Sequence, residues 1–276
     1  MTMNILHIYR NTPLGRETLR QAADFTRKIH GKLQVYIPQY DRFLFYFERE
    51  AVEIRLDQSY LYLPDTAEHN VRQIVEPFEI PFSFVKIASK TASSLPNLPT
   101  NFDLLSLPRI MVERQGRMQL SAIGAGIRQI VKSTPTPALL SPGRFHDWQE
   151  ILVLFGGSDF SISALKWALL ISRHANLAVN MLTLLEEGRE LSDYERILEE
   201  QQIDRAGIGQ WNCLPAGSVV TLLEAIPRDA LIAMGAYGHG RVLEKLFGST
   251  TELIQKNTAN LLMLVGENGL SPKYRS

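Results

Sequence analysis

Ile151-Leu-Val-Leu-Phe155, followed at once by Gly156-Gly-Ser-Asp159 and then by Ala164-Leu-Lys-Trp-Ala-Leu169, reads as a buried strand, a polar turn and an amphipathic helix. The chain opens the same way. Ile5-Leu-His-Ile-Tyr9 is a short apolar run, Arg10-Asn-Thr-Pro13 a turn, and Thr18-Leu-Arg-Gln-Ala-Ala23 lies on a helix. The two halves also close alike, Lys132-Ser-Thr-Pro-Thr-Pro-Ala-Leu-Leu140 against Lys256-Asn-Thr-Ala-Asn-Leu-Leu-Met-Leu264, each a helix end running into a strand. The repeat unit is therefore about half the chain. Between the copies, Ser141-Pro-Gly-Arg-Phe-His-Asp147 breaks any periodic pattern and reads as a linker.

Outward from the opening stretch, the runs Ile151–Phe155, Leu177–Leu184, Leu231–Met234 and Leu261–Val265 are short and nearly unbroken, as strands buried on both faces should be. Helical patterns alternate with them around Ser161–Ala175, Asp193–Asp204, Ser218–Ile226 and Thr250–Lys256. Such alternation predicts right-handed βαβ crossovers and a parallel, doubly wound α/β sheet, with ligands at the carboxyl ends of the strands. The expectation is two tandem sheets, residues 1–141 and 148–276, packed through their last strands as an internal pseudo-dimer. In the first copy, Phe43–Leu56 reads as an additional aromatic helix covering core, the alternative being an exposed aromatic patch for a partner or an apolar ligand. Pro96, Pro99 and Pro108 leave the third crossover helix short at best.

After Leu231–Met234 comes Gly235-Ala-Tyr-Gly-His-Gly-Arg241, and then, with nine residues separating Gly238 from Gly248, Gly248-Ser-Thr250 at the start of a helix. Glycines at a strand end permit positive φ and let a phosphate approach the main chain. Ser249 and Thr250 add hydroxyls, and the first-turn N–H groups with the helix dipole complete an anion site. His239, Arg241 and Lys245 lie between the clusters and can add positive charge. The plainer alternative is that these glycines only make turns and that Ser249 or Thr250 only caps a helix. The P-loop ending Gly-Lys-Ser/Thr is absent, and no Gly-x-Gly-x-x-Gly follows the first strand.

Gly-x-x-Gly, nine residues, then Gly-Ser at this place in an α/β repeat resembles the nucleotide signature of the universal stress protein family. The resemblance extends over nearly all of residues 148–266. It implies five-stranded parallel sheets of the adenine nucleotide alpha hydrolase-like type that associate through their last strands. It further implies a cytoplasmic stress-response regulator that acts through protein partners, pairs as a homodimer and binds ATP, with Mg2+ as counter-ion. By position, the nucleotide residues would be Gly156, Ser158, Gly235, Gly238, His239, Gly240, Arg241, Gly248, Ser249 and Thr250. One departure stands out: ATP-binding members usually place an aspartate where this sequence has Gly156. The first half departs further, with Arg10 at the aspartate position, no glycine pair in Leu104–Gly116, and only the last glycine kept in Gly124-Ala-Gly126. That half is expected to be a structural repeat without a site.

Catalytic alternatives find little support. The six histidines, His7, His30, His69, His146, His174 and His239, show no pair at metal-ligand spacing, and Phe160 replaces the closing glycine of a nucleophile elbow around Ser158. Glu186, Glu187, Glu190, Asp193 and Glu195 fall in a loop and a helix start, where acids suit the dipole better than a metal. A phosphate cradle positions a nucleotide, but no carboxylate is placed to aim a water, so at most slow ATP hydrolysis is expected. The order is nucleotide-responsive regulator, then non-nucleotide scaffold, then enzyme. Lysine plus arginine equal aspartate plus glutamate at 29 each, which gives no chain-wide field for nucleic acid or an anionic membrane. The single cysteine, Cys213, the lack of a charged leader and the lack of any run of about 18 apolar residues fit a reducing, cytoplasmic setting.

Overall fold

The computed structural model describes residues 2–47, 51–56, 61, 64–87, 95–109, 125–215, 219–236, 254, 258–266, 268–269 and 271–272. The first half runs β1 (Asn4–Ile8), α1 (Pro13–Lys28), β2 (Lys32–Tyr36), β3 (Arg42–Tyr46), β4 (Ala51–Arg55), α2 (Pro64–Val75), β5 (Phe82–Phe84), β6 (Asn97–Leu98), β7 (Leu104–Pro108), α3 (Ala125–Ser133) and β8 (Ala138–Ser141). The second runs β9 (Glu150–Leu154), α4 (Asp159–Ala175), β10 (Val179–Leu184), α5 (Leu191–Glu200), β11 (Trp211–Leu214), α6 (Val219–Glu224), β12 (Ala230–Gly235) and β13 (Leu262–Val265).

Ten strands form one sheet in the order β11-β10-β9-β12-β13-β8-β7-β1-β2-β5. Within each half of this sheet all pairings are parallel, and the two halves read outward from the middle in the same sequence of strands. At the middle, β8 and β13 pair antiparallel, Leu140 opposite Leu262 and Ala138 opposite Leu264. The expected two sheets thus meet edge to edge through their last strands. That pairing satisfies two rows of backbone groups that would otherwise be open edges.

The copies match bond for bond at several points. The Tyr9 N–H donates to Tyr36 O as the Phe155 N–H donates to Leu182 O. Thr12 caps α1 and Ser158 caps α4, each in extended backbone, each accepting from the N–H three residues on. After α1 and α4 the chain turns through a left-handed residue, His30 (φ 51°) and Asn176 (φ 52°). Both faces of the sheet are covered: α1, α2, α4 and α5 contribute to one apolar cluster with Phe25, Leu165 and Tyr194, and α3 and α6 to the other with Ile127 and Leu222. Near-continuous apolar strands are required by this two-sided burial.

In the aromatic stretch 43–56 the described residues, 43–47 and 51–56, form two antiparallel strands and not the expected helix. Strands β3 and β4 pair antiparallel from Arg42↔Arg55 to Tyr46↔Ala51, and β6 joins them to make a separate three-stranded sheet. Along β4, Val52, Ile54 and Leu56 are buried while Ala51 and Arg55 are exposed, which is a period of two. Among the described residues no helix stands between β5 and β7; β6 lies there instead. The segment 142–149 is a docked strap. The Phe145 and His146 N–H groups donate to Glu17 and Gln21 of α1, and Trp148 stacks on Phe25 with ring centroids 5.5 Å apart.

Candidate functional site

In a parallel sheet of this kind the crevice for a ligand opens beyond the carboxyl ends of neighbouring strands. In the second half those ends belong to β9 and β12, which pair through Met234↔Leu154. Three of the expected residues, Gly156, Ser158 and Gly235, meet there. Gly238, His239, Gly240, Arg241, Gly248, Ser249 and Thr250 lie outside the described residues.

Each of the three has a local reason for its identity. Phe155 is buried against Tyr194 and Trp211, with ring centroids 6.4 and 5.9 Å away, and this fixes where β9 ends. The chain then passes through Gly156 and Gly157, of which Gly157 has φ +73°. A Cβ on Gly157 would also lie 2.8 Å from Ile197 Cδ1 of α5, the tip of a side chain that can shift, so it is the backbone conformation that requires glycine here. Sequence reading passed over Gly157; the doubled glycine after a strand was the available signal. Ser158 takes extended backbone and accepts from the Ser161 N–H at 3.3 Å, while the Ser161 hydroxyl donates to Ser158 O at 2.8 Å. Its cap role uses an acceptor lone pair and leaves its O–H to donate elsewhere.

Gly235 is explained first by packing. A Cβ there would sit 2.7 Å from Phe160 Cβ and 2.8 Å from the Ser161 nitrogen, so the end of β12 presses directly on the first turn of α4. The α4 start, already capped by Ser158 and carrying Asp159, is a poor seat for an anion. The half-buried Gly156, with no side chain, and the free O–H of Ser158 are suited to the less charged part of a nucleotide.

The equivalent place in the first half is filled. Register puts Pro108 where Gly235 stands and Arg109 where Ala236 stands, because Pro108 pairs with Ser141 as Gly235 pairs with Val265. Arg10, at the Gly156 position, is buried with relative exposure of 2%. Beyond the end of β2, the rings of Tyr36 and Phe43 meet edge to face at 5.2 Å, and Phe45 packs on Phe43 and Phe102 at 5.5 Å. All four are buried; Phe43 and Phe45 come from the β3–β4 insertion, Tyr36 from the end of β2 and Phe102 from the approach to β7.

Among the described residues, His7 and Ser106 form a buried pair with a nucleophile-and-base look, Nδ1 to Oγ 3.1 Å. Both have no solvent exposure, and burial lowers the His7 pKa to about 3, so the pair has no route to a substrate. Among the described residues no group of three His, Cys, Asp or Glu side chains could hold a metal, and no helix is long and apolar enough to cross a membrane.

No family model matches the chain. It is similar to the universal stress protein Slr1230 of Synechocystis sp. (strain ATCC 27184 / PCC 6803 / Kazusa), 25% identical over 185 residues, which take in 63% of this chain and 63% of that protein. The chain therefore spans just under two thirds of that relative's length. Among solved structures it resembles a universal stress protein from Archaeoglobus fulgidus DSM 4304, with TM-score 0.60, 15% identity, and 95% of this chain and 98% of that one covered. It also resembles the cytoplasmic domain of a prokaryotic cation chloride cotransporter, with TM-score 0.52, 11% identity, and 98% of each chain covered. The fold is the α/β architecture of the universal stress proteins, in tandem.

Proposed function

We propose that this chain is a nucleotide-responsive regulatory protein whose second repeat binds an adenine nucleotide, ATP in the first instance. The observation that supports it is the asymmetry between equivalent strand ends. The second repeat leaves Gly156, Gly157 and Ser158 beside Gly235, with the glycine loop following in sequence, whereas the first repeat fills the same place with Arg10, Pro108, Arg109 and an aromatic insertion. On this reading the domain boundaries are 1–141 and 148–276, the first serving as partner and the second as sensor. The output is an interaction with another protein and not turnover of a metabolite. Calorimetric titration with ATP, with and without Mg2+, tests it. Binding should be measurable, and saturating ATP should raise the melting temperature by preferential binding to the folded state. No binding at millimolar ATP by folded protein rejects the reading.

One observation favours a second reading, a scaffold that binds no nucleotide. Gly235 is required by the contact with Phe160 and Ser161 alone, and Gly156 offers no carboxylate for a ribose. Gly238→Val and Gly248→Val separate the two readings. On the nucleotide reading both remove ATP binding from a folded protein, because a Cβ would obstruct the close approach of phosphate to the backbone.

A further inference from the structure

The ten-stranded sheet ends at β11 on one side and at β5 on the other. Beyond β5 no strand pairs among the described residues, and Ser83 at its centre is exposed. The Leu33 N–H donates to Pro81 O at 3.0 Å and the Val85 N–H donates to Val35 O at 2.9 Å, so the odd-numbered residues turn their backbone groups toward β2. These groups alternate along a strand, and Phe82 and Phe84 therefore point their N–H and C=O groups away from the sheet. An open row of this kind is a template for another strand. The side chains alternate too. Phe82 and Phe84 are half-buried against the apolar cluster of α1 and α2, with the Arg72 guanidinium over both rings at 5.8 and 5.2 Å. Val85 and Ile87 pack against the cluster on the opposite face.

Unlike charges bracket this strand: Glu76 and Glu79 precede it and Lys86 follows it, all exposed. A second β5 laid parallel would set like charge beside like. Laid antiparallel about a two-fold axis, with Ser83 opposite Ser83 of the second copy, it sets Lys86 opposite Ile80 and one position from Glu79 of that copy, and the symmetry repeats the contact. In that register Phe82 and Phe84 of opposite copies exchange both backbone bonds, and their rings meet as cross-strand aromatic pairs. The other end of the sheet has no such polarity, because Ile208-Gly-Gln210 and Pro215-Ala-Gly217, which flank β11, carry no charge. The last strands of the two repeats are unavailable as well: β8 lies between β7 and β13, and β13 between β12 and β8.

We propose that the β5 edge is the surface through which two copies of this chain associate, antiparallel about a two-fold axis at Ser83, so that the sheet of one continues into the other. The occupant is a second copy because the strand is its own complement in backbone groups, aromatic side chains and flanking charge. Pairing over so few residues buries less than a permanent interface does, so the dimer is concentration-dependent and weakens with salt. The inference stands whether or not the second repeat binds a nucleotide.

The test is sedimentation equilibrium of the full chain from micromolar to millimolar concentration, which should show a reversible dimer. Lys86→Glu and Glu79→Lys each set like charges across the axis and should raise the dimer Kd about tenfold, while the double variant should return close to the wild type. Crosslinking in a Cys213→Ser background reads the register. Residues directly opposite in a non-hydrogen-bonded pair lie about 4.5 Å apart at Cα, within disulfide reach, so Ser83→Cys should form a covalent dimer on mild oxidation. Lys86→Cys should not, because the two copies of that residue stand about 20 Å apart in this register. The substituted residues Glu79, Ser83 and Lys86 are exposed, and each variant is checked for folding by circular dichroism. A wild type that stays monomeric at millimolar concentration overturns the inference. So does a dimer indifferent to both charge reversals, or one that Ser83→Cys fails to link or Lys86→Cys links as readily, since the contact then lies elsewhere.

Discussion

His7 sits in mid-strand with Nδ1 on Ser106 and with Nε2 facing the core without a partner among the described residues. A proton on this ring would be a charge in an apolar interior, so burial holds its pKa down at about 3, far below the usual 6.5. In the unfolded chain the same ring takes a proton near pH 6.5, and the unfolded state therefore binds more protons than the folded one between pH 6.5 and 3. The contribution to stability is complete above pH 6.5 and is lost as pH falls through that window, with a slope approaching about 1.4 kcal/mol per pH unit. Urea denaturation at pH 7 and pH 5 should show this loss in the wild type and a smaller loss in His7→Gln, which cannot titrate. Equal losses would mean that other groups set the acid response. At the strand end of the second repeat, Gly235→Ala forces a Cβ into the first turn of α4, and overpacking of this kind costs about 1–3 kcal/mol. Ser158→Ala removes a helix cap and costs about 1 kcal/mol, read in the same denaturation experiment. If either change weakened ATP binding with no loss of stability, the packing account of that residue would be wrong.

The hairpin of β3 and β4 does the work that a helix does in the second repeat, covering the face on which α6 lies there. Phe45 lies at its centre, buried between Phe43 and Phe102. Phe45→Ala should cost about 3–5 kcal/mol, the usual range for emptying such a site, and thermal melts followed by near-ultraviolet circular dichroism would register it. A loss below about 1 kcal/mol would show that the insertion is an appendage and not part of the core. This element also marks where the sequence misleads. Five aromatic and aliphatic residues in a row, Phe43 to Phe47, have no resolvable period, and the alternation at Val52, Ile54 and Leu56 is only three residues long. The strands of the second repeat were legible because burial on both faces writes them as unbroken apolar runs, and Val179–Leu184, Ala230–Gly235 and Leu262–Val265 lie within a residue or two of expectation. Strand β11 was not legible: at the sheet edge Trp211 and Asn212 need be apolar on one side at most. Of the candidate site, the glycines could be read but not their causes. Gly157 is glycine because the turn after β9 takes φ +73°, and Gly235 because Phe160 and the Ser161 nitrogen of α4, remote in sequence, occupy the space a Cβ would need.

At the scale of the whole molecule the question is whether the two repeats behave as one body. The sheet is continuous across β8 and β13, the strap 142–149 is bound along α1, and Arg109 spans the seam, so the halves share backbone pairing, apolar contact and a charged group. A further constraint lies just past β13, where a Cβ on Gly266 would fall on the carbonyl oxygen of Val131 in α3. Here the second repeat passes a helix of the first at backbone distance, and no flexible side chain is available to yield. Gly266→Ala must therefore separate α3 from the end of β13, which opens the seam without altering the interior of either repeat. The wild type should unfold in one calorimetric transition with van't Hoff and calorimetric enthalpies equal. The variant should lose that equality, its melt broadening or dividing as the repeats uncouple. A variant melting in a single transition at the wild-type temperature would show that the close approach at Gly266 does not join the repeats.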